Sequence, residues 1–92
     1  MSFTIDLFKW KSFRLPKTIY RKMGKHQALG LFMDNEIHID SSLKGKKEME
    51  IHLHELTHYA RPDFTEDEVR ELSRKFTDYL WREWYRKADN ED

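Results

Sequence analysis

The run Met49-Glu50-Ile51-His52-Leu53-His54-Glu55-Leu56-Thr57-His58-Tyr59-Ala60 decides how the rest of the chain is read. Inside it, His54-Glu55-Leu56-Thr57-His58 has the form His-Glu-x-x-His. On a helix, residues four apart lie one above the other, so both imidazoles face one point. That spacing suits a shared Zn²⁺ with bonds of roughly 2.0–2.1 Å. Glu55 directly follows the first ligand, where a carboxylate can serve as general base toward a metal-bound water. Composition alone gives roughly 0.03 accidental matches to this pattern in such a chain, so the surroundings have to agree.

The flanks support a helix over about Lys46–Ala60. At 100° per residue, Met49, Leu53, Leu56 and Ala60 fall within about 60° of one another. Ile51, His54 and His58 lie on the other side. Both sides therefore hold residues that avoid water or converge on a ligand, as in a helix packed between a sheet and a second element. Pro62 follows the end of this helix, where proline is common. A second helix opens at Thr65-Glu66-Asp67-Glu68, a capping box with Thr65 as N-cap and Glu68 at N3. It is expected to reach about Arg86, with a buried stripe of Val69, Leu72, Phe76 and Leu80, joined by Tyr79 or Trp84. The short connection makes the two helices antiparallel neighbours.

A catalytic zinc takes three protein ligands. There is no cysteine, so the third must be another histidine or a carboxylate. The start of the second helix lies near His58. There Glu66 stands three residues before Val69, seven before Ser73 and ten before Phe76, on or beside the buried stripe. Asp67 points about 100° away from it, and Glu68 is committed to the cap. Periodicity selects Glu66, with Asp67 and Asp63 as alternatives. Of the remaining histidines, His52 lies on another helix face and His26 sits in a turn.

Outward from the helices, residues 1–44 read as sheet and loops. Glu36-Ile37-His38-Ile39-Asp40 alternates cleanly, with Ile37 and Ile39 directed inward. Asp34-Asn35 is turn chemistry, which pairs this strand with Gln27–Met33 as a hairpin, bent at Gly30. Further strands are expected within Lys17–Met23, after Pro16, and over Phe3–Phe8; a turn falls at Gly24-Lys25-His26. Strand 36–40 is read as an exposed edge that binds extended peptide by β-addition, placing Glu36, His38 and Asp40 near substrate. Trp81, Trp84 and Tyr85 are expected to fold back on the sheet end or to dimerise, and Ala88–Asp92 forms a frayed acidic tail.

These elements amount to one small α+β domain of 92 residues. Apolar and charged residues are nearly equal, 38% and 37%, and a high aromatic content of 14% must supply much of the core. A bound metal would add stability that so small a core lacks. No apolar run suits a signal peptide or a membrane span, so the expectation is a cytoplasmic protein with no membrane partner. Net charge is zero but uneven: residues 1–33 carry seven Lys/Arg against Asp6 alone, and residues 34–92 carry ten against sixteen acids. The basic half could meet nucleic acid or an acidic partner, or simply be attracted to the acidic half.

The segment His54-Glu55-Leu56-Thr57-His58, then Arg61-Pro62-Asp63-Phe64-Thr65-Glu66-Asp67-Glu68-Val69 and a late Leu80-Trp81-Arg82, resembles the small zincin-like metallopeptidases of bacteriophages and bacteria. The resemblance covers roughly residues 27–86. More distantly the chain is similar to the IrrE-like and SprT-like gluzincin domains, in which a downstream helix supplies the third ligand. It implies a minimal zincin core: a short antiparallel or mixed sheet, the metal helix beneath it and one antiparallel C-terminal helix. It also implies His54, His58 and Glu66 as zinc ligands, Glu55 as base, a peptide or protein substrate, and a phage or host cytoplasmic setting. Unlike the larger peptidases, this chain has no second subdomain to wall a cleft. Two functions follow as expectations: a zinc-dependent peptidase, or a silent binding module whose metal is a structural clamp and whose basic half contacts nucleic acid or protein.

Overall fold

Proline fixes the entry to the sheet. Pro16 cannot donate to a ladder, and the strand begins at the next residue, where the Lys17 amide donates to the Asn35 carbonyl at 3.1 Å. The computed structural model describes residues 14–24 and 29–85 of the chain. They form strands β1 (Lys17–Arg21), β2 (Gly30–Met33) and β3 (Glu36–Asp40), then helices α1 (Gly45–Ala60) and α2 (Glu66–Leu80). A π-helical turn, Trp81–Tyr85, continues α2. The expected strand over residues 3–8, the second half of the 24–26 turn, residues 27–28 and the acidic tail lie outside the described residues.

The hairpin forms as its turn chemistry predicts. Asp34 and Asn35 both adopt left-handed backbone, φ 54° and 58°, which the two-residue turn favoured by twisted strands requires. Register follows, with Met33 opposite Glu36 and Gly30 opposite Ile39. Ile37 and Ile39 are fully buried, as the alternation requires. The edge assignment of β3 is corrected. Strand order is β1-β3-β2, with β1 parallel to β3 from Lys17 opposite Glu36 to Arg21 opposite Asp40. β3 is central, and its main chain is paired on both sides. Alternation reports which faces are wet, not how many neighbours a strand has, so β1 could not be seen from within 36–40.

The helices form a second layer, α1 against β2 and β3 and α2 against α1. Lys46 near the start of α1 pairs with Asp78 near the end of α2 at 2.8 Å, as antiparallel packing demands. The capping box at Thr65 is complete: Glu68 N donates to Thr65 Oγ1 at 3.2 Å and Thr65 N to Glu68 Oε1 at 2.8 Å. The buried stripe of α2 differs from expectation. It is Val69, Ser73 and Thr77, while Phe76 is 47% exposed and Tyr79 and Trp84 lie still further out. Small side chains at four-residue spacing let the helices approach. Their hydroxyls are satisfied inside α2, Ser73 donating to Arg70 O and Thr77 to Ser73 O. Polar type hid these positions from a search for large apolar residues. Trp81 lies over the start of α1, near Gly45.

At Gly30 the sheet lies tight against α1. A Cβ there would stand 2.5 Å from Ile51 Cγ2 and 3.0 Å from Glu55 Oε2. The absent side chain, not a bend, is what this position requires. Ile51 is β-branched on a helix and has little rotamer freedom to yield. Gly30→Ala is therefore expected to cost about 1–3 kcal/mol, as over-packing does, and urea denaturation would show it as a lower midpoint with an unchanged slope.

Candidate metal centre

α1 carries His54 and His58 one turn apart, with ring centroids 5.0 Å from each other. Two local devices bring a carboxylate to them. Arg61 Nε and Nη2 grip Asp63 at 2.9 and 2.7 Å, and its guanidinium lies 4.2 Å from the centroid of the Phe64 ring. These contacts hold the connection in a tight turn, closed by Phe64 N donating to Arg61 O. The Thr65 cap then starts α2 at once, leaving Glu66 in its first turn facing α1. Glu66 Oε1 lies 2.6 Å from His54 Nε2 and Glu66 Oε2 lies 3.3 Å from His58 Nε2.

One nitrogen or oxygen of each residue falls within 4.8 Å of the others, so His54, His58 and Glu66 form a group that could hold a metal ion. Tetrahedral zinc with bonds of roughly 2.0–2.1 Å needs ligand atoms about 3.3 Å apart, close to the His58–Glu66 spacing. Two imidazoles and a carboxylate are also the donor set of a three-ligand catalytic site. The alternatives are used elsewhere. Asp63 is held by Arg61, which keeps its carboxyl below the usual range. Asp67 pairs with Arg70 at 3.0 Å, its side chain 92% exposed.

Glu55 stands beside this group under different conditions. It is only 7% exposed, and no hydrogen bond reaches its carboxylate among the described residues. Burial raises its pKa; the neighbouring His54 and His58 pull it down, and Glu66 pushes it up further. The four residues open on a cleft of about 490 Å³ that is also lined by Gly30, Leu31, Phe32 and Pro62. Sequence reasoning did not place those four at the site. For Gly30 a signal existed, since glycine within a strand pattern marks close backbone approach.

The expected substrate contacts are not brought to the cleft. Glu36, His38 and Asp40 lie on the sheet face opposite the buried Ile37 and Ile39. There Glu36 meets His38 Nε2 at 3.0 Å and Arg21 Nε donates to His38 Nδ1 at 2.9 Å. Asp40 accepts from the amide and hydroxyl of Ser42, which hold its carboxyl below the usual range. Inward-facing Ile37 and Ile39, packed on α1, put the polar row on the wrong side. His52 stays apart from the motif as expected, 3.2 Å from the Tyr20 hydroxyl and 3.6 Å from Glu48.

Comparison with known families, curated proteins and solved structures finds no match to this chain. Among the described residues, no helix is long and apolar enough to cross a membrane.

Glu55 gives a test of the site in the metal-free protein. Its folded pKa lies above the ordinary value of about 4.3. Below that value both states hold the proton. As pH rises from there through the raised folded value, the unfolded chain releases it first and stability is lost. Glu55→Gln is thus expected to melt higher than the native chain at pH 7 in the presence of a chelator. The difference should shrink below pH of about 4; an unchanged difference across this range would contradict the assignment.

Proposed function

We propose that this chain is a zinc-dependent peptidase in which His54, His58 and Glu66 hold the ion and Glu55 handles the proton. The observation that carries the reading is a buried carboxylate, without a hydrogen bond among the described residues, directly beside a His/His/Glu group in a cleft that borders β2, an edge strand of the described sheet. When bound, zinc supplies Lewis acidity, which draws the pKa of water toward about 7 and polarises a carbonyl. Glu55 accepts the proton of the attacking water and returns it to the departing amine nitrogen. A purely structural metal site has no use for a base in this position.

β2 takes the place of β3 as the strand that meets substrate. Among the described residues it is an edge of the sheet, and residues 30–32 line the cleft. In a hairpin closed by a two-residue turn, Met33 and Glu36 form a hydrogen-bonded pair. Leu31 then bonds to His38, and Asp40 N donates to Leu29 O at 3.0 Å. Gly30 and Phe32 direct their amides and carbonyls to the open side. An extended peptide would bond to these groups and lie across the cleft.

The zinc-loaded protein is expected to hydrolyse peptide bonds in unfolded polypeptides, measured by mass spectrometry of the fragments. Glu55→Gln should retain about one zinc per chain and lose about 10²- to 10⁴-fold in rate, the usual contribution of a general base. Equal rates in the two proteins would contradict the role given to Glu55.

A further inference from the structure

β2 differs from an ordinary sheet edge in what it shows to solvent. Its side chains alternate, and Gly30 and Phe32 face the helices; Phe32 packs edge-on to Tyr59 with ring centroids 5.7 Å apart. The residues between them, Leu29, Leu31 and Met33, are 40%, 37% and 48% exposed and lie in a row on the opposite face. Native edges are protected by lysine, proline, bulges or a covering element. Residues 29–33 read Leu-Gly-Leu-Phe-Met, with none of those residues, and among the described residues no strand covers the edge.

Resting on the peptidase reading above, we infer that the substrate is an extended segment with apolar side chains at alternate positions, selected by Leu29, Leu31 and Met33. A segment added to β2 bonds to the main chain of Gly30 and Phe32. In an antiparallel segment the residue opposite Leu31 then occupies a non-hydrogen-bonded pair, the arrangement in which side chains approach most closely. That side chain packs on Leu31, and the residues two before and two after it pack on Leu29 and Met33. The intervening residues point to the helix side, into the cleft beside Glu55 and the His/His/Glu group. One face of the segment is thus read by apolar contact while the other is presented to the chemistry. A second copy fits this edge less well. A four-residue strand is only about 13 Å long, a strip far short of the roughly 800 Å² per partner that a stable dimer buries.

The test uses the full chain carrying Glu55→Gln and loaded with zinc, so that bound peptide is not consumed. Two fluorescein-labelled nonapeptides of identical composition serve as probes, one alternating valine and serine and one with the same residues in two blocks. Anisotropy titration is expected to show the alternating peptide binding about tenfold tighter, equivalent to about 1.4 kcal/mol. Adding Leu31→Ser and Met33→Ser should abolish that preference while zinc content and melting temperature stay unchanged. Equal affinity for both peptides overturns the inference without reliance on the added substitutions. So does sedimentation showing a dimer that these two substitutions dissolve, because the occupant is then a second copy. If the native zinc protein cleaves both peptides equally well, the selection rule falls and the peptidase reading stands. If the alternating peptide binds selectively but is never cleaved, hydrolysis falls and the docking rule is supported.

Discussion

The meeting of Glu66 with His54 and His58 is the constraint on which this structure turns. It joins the last turns of α1 to the first turn of α2, where the Glu66 carboxylate reaches both imidazoles. Every local device nearby serves that placement. Arg61 clamps Asp63 and caps the Phe64 ring, and Thr65 and Glu68 close the capping box, so α2 begins without slack. Farther along, Val69, Ser73 and Thr77 let the helices lie close, and Lys46–Asp78 ties their opposite ends. Displacing the cap by one residue would rotate Glu66 by about 100° and take it off the shared face.

The same region works against stability. Glu55 is 7% exposed and opens only on the cleft, and that burial disfavours its ionised form. Its carboxylate fits against β2 only because Gly30 has no side chain. The fully buried apolar residues among those described are few: Met23, Ile37, Ile39 and Val69. An ion shared by α1 and α2 would bind the folded chain and not the unfolded one, and so add stability by mass action. Metal as clamp and metal as reagent are therefore compatible in a chain of this size.

Much of this was legible from local signals. The four-residue spacing of His54 and His58, the Thr65–Glu68 box, the Asp34–Asn35 turn and the Ile37/Ile39 alternation each act over a few residues, and each reappears in the fold. Choosing Glu66 over Asp67 needed only the helical period once the cap was fixed. The failures were non-local. Nothing in Glu36–Asp40 reports that β1 pairs with it, so a central strand was read as an edge and three residues were assigned to substrate on the wrong face. Thr77 was overlooked, and Ser73 served only to place Glu66 and not as a member of the stripe, because hydroxyls bonded within their own helix can be buried as readily as apolar groups. Gly30 was read as a bend because the helix that crowds it is more than twenty residues away in sequence.

The central claim is that two histidines and one glutamate from two helices share a single ion. X-ray absorption at the zinc edge of the loaded protein tests it most directly. A first shell of two imidazole nitrogens, one carboxylate oxygen and one further light atom, at roughly 2.0–2.1 Å, is predicted for the native chain. Glu66→Ala should lose the carboxylate while Asp67→Ala leaves the shell unchanged. A six-oxygen shell, or a spectrum that Glu66→Ala does not alter, would contradict the account.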